Sequence, residues 1–145
     1  MIKIVTLIIF ILNISFAQAQ ESNISEKQAL NKIIKTIKNK NKNNKIALYL
    51  SQKYGDDEEV MNELLKTNGL LLEHASTRLR KNKDLVLTAV RENGLALEYA
   101  YHALKNDEEV VLTAASENIE ALEFTSNNFM RDKEFLLNIL TNYNH

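Results

Sequence analysis

Histidine and glutamate four residues apart on a helix can clamp a metal ion, and one such pair occurs in this sequence. Glu98 and His102 stand at that spacing in the stretch EYAYH. A zinc site needs further ligands, but the positions 25 residues before and after His102 hold Thr77 and Asn127. The pair is also what an exposed ion pair on a helix would look like, and we predict no metal site.

The residue types of the chain do not indicate nucleophilic catalysis or a cofactor-binding site. The chain of 145 residues contains no cysteine, which excludes disulfides, thiol catalysis and Cys-ligated zinc. Neither a Ser-His-Asp arrangement nor a glycine-rich phosphate loop is discernible. We therefore predict that the protein is not an enzyme and has no catalytic residue and no cofactor.

Three glutamates recur at steps of 25 residues and are the main candidates for binding a partner: Glu73, Glu98 and Glu123. If the segments that carry them stack, the carboxylates form a ladder along one face that suits a cationic partner. The alternative is that each glutamate only complements the positive N-terminus of its own helix.

The spacing of these glutamates belongs to a tandem repeat. The phrases KTNGLLLEHA, RENGLALEYA and SENIEALEFT start 25 residues apart. A column of predicted helix caps has the same step: Asp57, Asn82, Asp107 and Asp132. An apolar column three residues later also recurs at steps of 25 residues: Val60, Leu85, Val110 and Phe135. Agreement across many such columns indicates stacked copies of one structural unit.

Each copy is predicted to be a pair of short helices. Asn82 caps a first helix, which ends at Asn93-Gly94 with Gly94 in the left-handed C′ conformation. A second helix, with Glu98 near its positive end, is predicted from apolar residues at helical spacing: Leu97, Ala100, Tyr101 and Leu104. In the third copy Ile119 replaces the glycine, so Asn118 is an alternative for the left-handed position.

Helices of about 10 residues are marginal alone in water, so the copies must stabilise one another by packing. We predict an all-α fold: a short α-solenoid-like array of helix pairs over residues 46–145, preceded by an amphipathic helix. Three joined copies with a half copy at each end reach the minimum length for such an array. The handedness stays open.

The stretch DLVLTAVRENGLALEYAYHALKNDEEVVLTAASEN, residues 84–118, resembles the bacterial repeat family catalogued as domain of unknown function 4116. Its pattern is matched by Val110, Val111, Leu112 and Ala114, by Asn93, Gly94, Ala96, Leu97 and Ala100, and by Leu104 and Asp107. The resemblance extends over about residues 60–140 and implies paired short helices. It implies no activity and no site, and Ile119 departs from the pattern.

Residues 1–19 have the features of a signal peptide. Lys3 precedes an apolar stretch from Ile4 to Phe16, and Ala17 and Ala19 supply the small residues that a signal peptidase requires. We predict cleavage near Ala19 and export to the periplasm or the cell exterior. An uncleaved membrane anchor and a buried helix are the alternatives.

Residues 20–45 are predicted to form a basic amphipathic helix and a Lys/Asn-rich connector. An apolar stripe marks the helix: Leu30, Ile33, Ile34 and Ile37. Residues 21–45 hold seven lysines and two glutamates, a charge of +5, whereas residues 46–145 carry −7. The lysines either face water or contact an anionic membrane weakly. No aromatic residue lies among them to stack on bases, so we predict no nucleic-acid partner.

The C-terminal stretch EFLLNILTNY, residues 134–143, is unusually apolar. Phe135, Leu136 and Ile139 are candidates for docking a partner or for self-association. The alternative is a helix that packs on the third copy and buries most of these side chains.

Together these features predict an exported, non-catalytic helical-repeat protein that serves as a protein-interaction module for an unknown partner. Two alternatives remain open at this point. One is an envelope-associated structural protein whose basic leader contacts anionic membrane, and the other is a secreted effector or toxin-like protein.

Overall fold

The computed structural model describes Gln28, Leu30, Lys32 and Ile34, residues 45–125 and residues 129–142. The chain divides into two compact units, residues 1–49 and 50–145. The predicted signal segment and the connector over residues 38–44 lie outside the described residues. No helix within the described ranges is long and apolar enough to cross a membrane.

In the first unit, the described residues of the leader are all helical and alternate in exposure. Leu30 and Ile34 are buried, whereas Gln28 and Lys32 are exposed. This agrees with the predicted amphipathic helix, whose other stripe residues, Ile33 and Ile37, lie outside the described residues.

The fold is all-α, as predicted, and the described residues contain no strand. The α-helices are α1 (Lys45–Lys53), α2 (Glu58–Leu65), α3 (Thr77–Arg80), α4 (Lys83–Glu92), α5 (Glu108–Glu117) and α6 (Lys133–Asn142). The 3-10 helices are η1 (Gly69–His74), η2 (Gly94–Tyr99), η3 (Leu104–Asn106), η4 (Ile119–Phe124) and η5 (Phe129–Arg131).

We define copies 1, 2 and 3 as residues 57–81, 82–106 and 107–131. Each begins at a cap residue, and Asp132 begins a further half copy that contains α6. The predicted cap column is confirmed, because each side chain accepts hydrogen bonds from the first turn of its helix. Asn82 accepts from the N–H groups of Asp84 and Leu85, and Asp132 accepts from those of Glu134 and Phe135. Asp57 and Asp107 act in the same way.

Equivalent elements of consecutive copies pack against each other. Helix α4 contacts α5, and η2 contacts both η1 and η4. The predicted apolar column is buried in every copy: Val60, Leu85, Val110 and Phe135. Burying one such side chain is worth about 1.5–3 kcal/mol, which short helices cannot obtain alone. Adjacent packing of the copies is therefore confirmed, whereas a solenoid curvature stays a prediction.

The predicted second helix through Leu104 is wrong. Segment η2 ends at Tyr99, and Ala100 is extended, with a ψ of 151°. The next N–H group, that of Tyr101, donates to the carbonyl oxygen of Arg80 in the preceding copy at 3.0 Å. Ser76 and Gly55 form the same bond 25 residues earlier, at 2.6 Å. The helix stops because the donor that would continue it is bound to another copy.

The predicted left-handed glycine is also wrong. Gly94 begins η2 with a φ outside the left-handed region, and Asn93 is extended and caps η2 by accepting from Leu95. Glycine is required because a Cβ atom on residue 94 would overlap the carbonyl oxygen of Ala114 in the next copy. Asn118 is extended too, with a φ of −149°, so the left-handed alternative for copy 3 fails as well.

Candidate functional site

The three candidate glutamates occupy equivalent exposed positions. Glu73, Glu98 and Glu123 are each the fifth residue of a six-residue 3-10 helix, η1, η2 and η4. All three residues are exposed. The alternative that they complement the N-termini of their own helices is wrong, because they lie at the opposite ends. The three side chains therefore lie on the protein surface at equivalent positions of consecutive copies.

Two of these carboxylates affect the same tyrosine. Burial raises the pKa of the Tyr99 hydroxyl above its ordinary value, and the negative charges of Glu98 and Glu73 raise it further. Glutamates of copies 1 and 2 therefore both act on one hydroxyl, although they are 25 residues apart in the sequence.

A basic column accompanies the glutamates. Arg80 and Lys105 stand 25 residues apart. Burial lowers the pKa of the Lys105 ammonium group, the nearby charge of Arg80 lowers it further, and Glu98 opposes both. Arg80 Nε is buried without a hydrogen-bond partner in the described part of the chain. Lys105 is therefore influenced by a carboxylate of its own copy and by a cation of the preceding copy.

A second charged cluster lies where the first helices of copies 2 and 3 begin. Lys83 Nζ lies 2.8 Å from Asp107 Oδ2 and 2.9 Å from Glu109 Oε2. The hydrogen bond to Asp107, followed by that to Glu109, raises the pKa of Lys83, so the amine stays protonated and cannot act as a base. The cluster borders an open depression of about 530 Å³, lined by Lys83, Asp107, Glu108, Glu109, Leu112 and Thr113.

Copies 1 and 2 are joined at the equivalent position, by an amide–carboxylate hydrogen bond in place of the ion pair. Asn82 Nδ2 donates to Glu58 Oε1 at 2.9 Å, so the first helical residue again binds the cap of the next copy. The third pair at this register consists of two carboxylates, Glu108 and Asp132, and no hydrogen bond joins them. These clusters therefore connect copy 1 to copy 2 and copy 2 to copy 3.

Arg78 links the end of copy 1 to the acidic residues at its start. Its Nε lies 3.2 Å from Asp56 Oδ1 and its Nη1 lies 3.3 Å from Glu58 Oε2. The Ser76 hydroxyl donates to Asp56 at 2.6 Å, and this bond, followed by Arg78, lowers the pKa of the Asp56 carboxyl. Glu58 thus pairs both with Arg78 of its own copy and with Asn82 of the next copy.

Glu98 and His102 do not form the pair that their spacing suggests. Segment η2 ends at Tyr99, so the two residues are not on one helix, and both are exposed. The His102 ring instead lies 4.2 Å from the ring of its neighbour Tyr101. Within the described ranges, no group of three or more His, Cys, Asp or Glu residues could hold a metal ion.

The candidate docking residues of the C-terminal helix, α6, differ in their exposure to solvent. Phe135 and Ile139 are each only 4% exposed, and Leu136 is half-buried. The proposed docking role for Phe135 and Ile139 is therefore wrong, since their side chains belong to the core. The exposed apolar residues of α6 are Leu137 and Leu140, at 55% and 59%.

Sequence reasoning missed Tyr99, Arg80 and Lys105 as parts of the charged surface, and it selected the wrong residues of α6. The repeat register did not reveal the exposed residues of α6, because Leu140 aligns with the buried residues Leu65, Val90 and Ala115. The environment of Tyr99 depends on two copies and left no signal in the local sequence.

One comparison with known proteins gives a match. The family model described as "Domain of unknown function (DUF4116)" matches residues 57–105 and 107–145. The boundary between the two matched segments falls where copy 2 ends and copy 3 begins. No curated protein and no solved structure matches the chain.

Proposed function

The chain belongs to the DUF4116 family, a domain of unknown function, and we propose that it is an exported, non-catalytic helical-repeat protein that binds another protein. The observation that carries the proposal is the exposed position of Glu73, Glu98 and Glu123 on consecutive copies. Stacked copies present equivalent side chains at regular intervals, which suits an extended partner surface.

The charges of the surface indicate the chemistry of the partner. Glu73 and Glu98 act on one tyrosine hydroxyl, and Lys105 lies close enough to Glu98 and Arg80 for both to affect its pKa. A partner with cationic side chains opposite the glutamates would be complementary to this surface. Such complementarity determines specificity and association rate more than affinity, so the binding should weaken as salt increases.

In-cell cross-linking in the native host, followed by mass spectrometry, tests the proposal. The variant Glu73→Gln/Glu98→Gln/Glu123→Gln should lose the cross-linked partner. A matched variant, Glu108→Gln/Glu117→Gln/Glu120→Gln, removes three other exposed carboxylates and should retain it. Retention by the first variant would refute the glutamate surface, and the absence of any cross-linked protein would count against an interaction module.

Export is tested separately. The protein should be recovered from the periplasm or the medium with Gln20 as its first residue, because Ala17 and Ala19 suit signal peptidase. Replacing both alanines by bulky residues should block processing. Recovery of the unprocessed wild-type chain from the cytoplasm would contradict export.

An envelope-associated structural role is the second candidate. It is favoured by the exposed position of Lys32 on a helical segment whose Leu30 and Ile34 are buried, because an exposed cation near a membrane surface is attracted to anionic lipid. The full chain should then sediment with anionic vesicles at low salt and not with neutral ones. Equal sedimentation of the wild-type protein with anionic and with neutral vesicles would refute the envelope-associated role.

A further inference from the structure

Three cationic residues contact Tyr101, at the place where copy 2 meets the end of copy 1. The N–H group of Tyr101 donates to the carbonyl oxygen of Arg80 at 3.0 Å, and the carbonyl oxygen of Tyr101 accepts from the N–H group of Lys105 at 3.3 Å. Lys81 Nζ lies 4.3 Å from the centre of the Tyr101 ring. Basic residues of two consecutive copies therefore meet at one tyrosine.

These three residues differ from the neighbouring basic residues in their pairing. Arg78 and Lys83 each lie 3.3 Å or less from carboxylate oxygens. Among the described residues, no carboxylate oxygen lies within 4.0 Å of the side-chain nitrogens of Arg80, Lys81 or Lys105. We call these three residues the cation cluster.

Arg80 contributes an unsatisfied hydrogen-bond donor to the cation cluster. Its Nε atom is buried, and no group in the described part of the chain accepts a hydrogen bond from it. A buried donor without an acceptor is costly, and proteins nearly always satisfy such groups through the chain, water or an ion. The residue as a whole is half-buried. An acceptor from outside the chain would satisfy this donor.

The charges around Arg80 favour an anion with two negative charges. Burial lowers the pKa of the Lys105 ammonium group, the charge of Glu98 raises it and the charge of Arg80 lowers it further. The three cations and the one carboxylate leave a net charge of +2. A phosphate group carries about −1.5 to −2 at neutral pH, whereas a carboxylate carries a single negative charge. Phosphate oxygens also accept strong hydrogen bonds from guanidinium and ammonium groups.

Stacking of the copies does not require these cations. The backbone bond between Tyr101 and Arg80 recurs one copy earlier between Ser76 and Gly55. At the register of Arg80 and Lys105, the neighbouring positions hold Gly55 and Met130. Because Gly55 makes the same contact without a side chain, packing alone does not explain the cation cluster.

We propose that Arg80, Lys81 and Lys105 form a phosphate-binding site at the junction of copies 1 and 2. Arg80 Nε and the ammonium groups of both lysines donate to the phosphate oxygens. The ligand is inorganic phosphate or the phosphate group of an ester. This site goes beyond the proposed function, since it requires neither the protein partner nor the repeated glutamates.

NMR of the full chain labelled with nitrogen-15 tests the site through the Nε–H signal of Arg80, which is identified by its loss in Arg80→Lys. Sodium phosphate at pH 7 should shift this signal to saturation, whereas sodium chloride at the same ionic strength should leave it in place. Sodium acetate should bind at least about tenfold more weakly, because it brings one charge and fewer acceptors. A signal that does not move, or that moves equally in chloride, overturns the proposal.

A second titration uses glycerol 3-phosphate, a phosphate ester. Tighter binding of the ester than of inorganic phosphate supports a site for an esterified phosphate, and the reverse order supports a site for the free ion. Acetate that binds as tightly as both overturns the assignment to phosphate.

Substitutions distinguish a site from a diffuse positive field. Lys105→Gln should weaken phosphate binding at least about tenfold, and Lys81→Gln, at an exposed position, replaces it if that variant does not fold. Glu98→Gln removes a repulsive charge and should tighten binding up to about fivefold. The control, Arg91→Gln/Lys133→Gln, removes an exposed arginine and an exposed lysine and should bind phosphate like wild type. A loss in the control as large as that in Lys105→Gln overturns the proposal.

Discussion

Gly94 lies so close to the carbonyl group of Ala114 that a Cβ atom on residue 94 would overlap the Ala114 oxygen. Gly69 and Ala89 have the same relationship one copy earlier. In copy 3 the register position holds Ile119, which is 40% exposed. The glycines thus permit a close approach between consecutive copies at these two positions.

Gly94→Ala should lower the free energy of unfolding by about 1–3 kcal/mol, the usual cost of adding a carbon atom to a well-packed interface. The obstacle is a backbone carbonyl, which cannot move aside as the end of a flexible side chain can. Urea denaturation of both proteins measures the difference.

Ile119→Ala is the matched control for this prediction, because it places alanine at the same register of copy 3. It should cost less than about 1 kcal/mol, since the isoleucine is partly exposed. Equal effects at both positions would show that Gly94 is not held against the next copy.

Asn82→Ala should destabilise the protein by about 1 kcal/mol, because it removes the acceptor for the N–H groups of Asp84 and Leu85. Asn62→Ala, in the interior of α2, is the matched substitution and should be neutral or stabilise by up to about 0.5 kcal/mol. Thermal denaturation distinguishes the two. A cost at Asn62 as large as that at Asn82 would argue against capping.

The ion pair between copies 2 and 3 predicts an acid-dependent loss of stability. The hydrogen bond from Lys83 holds the pKa of Asp107 below its unfolded value of about 3.9. A depressed carboxyl pKa stabilises the fold above that value, and the contribution disappears as the pH falls through the folded pKa. Urea melts between about pH 2 and 7 should therefore show stability declining below about pH 4.

Asp107→Asn isolates this charge, because Asn82 shows that asparagine caps a first helix equally well. The variant should decline less steeply in acid than wild type. Asp84→Asn removes an exposed carboxylate from the first turn of α4 and should leave the decline unchanged. If the stability of Asp107→Asn declines in acid as steeply as that of wild type, the pair with Lys83 does not contribute to the acid dependence.

Hydrogen exchange should distinguish the broken second segment from a continuous helix. The Tyr101 amide donates to Arg80 of the preceding copy and should be protected. His102 and Ala103 follow without a backbone hydrogen bond from their own amides and should exchange quickly. Similar protection of all three amides would indicate an uninterrupted helix.

Residue type alone predicted the caps and the apolar column, because each depends on hydrogen bonds or periodicity within one helix. Asp107 and Val110 illustrate both, and their partners lie within a few residues. The recurrence of these columns then predicted that the copies pack side by side. Local chemistry and repetition were therefore sufficient for the fold class and for the order of the copies.

The end of η2 before Ala100 and the reason for a glycine at position 94 could not be predicted in this way. Both depend on backbone groups of another copy, the carbonyl groups of Arg80 and Ala114, which leave no trace in side-chain type. Asn-Gly also ends many helices with a left-handed residue, so the local signal pointed to the wrong conformation. The surroundings of Glu98 were missed for the same reason.

Copies one repeat apart lie side by side, and carbodiimide cross-linking followed by peptide mass spectrometry is the sharpest test of this arrangement. The reagent joins an amine to a carboxylate in direct contact without adding a spacer. The local pair Lys66 and Glu63, 2.5 Å apart, is the positive control, and Lys83→Gln is the negative one. Side-by-side packing of copies 2 and 3 predicts an isopeptide bond from Lys83 to Asp107 or Glu109 within one chain. Cross-links of Lys83 only to residues of its own copy, with the control pair joined, would contradict it.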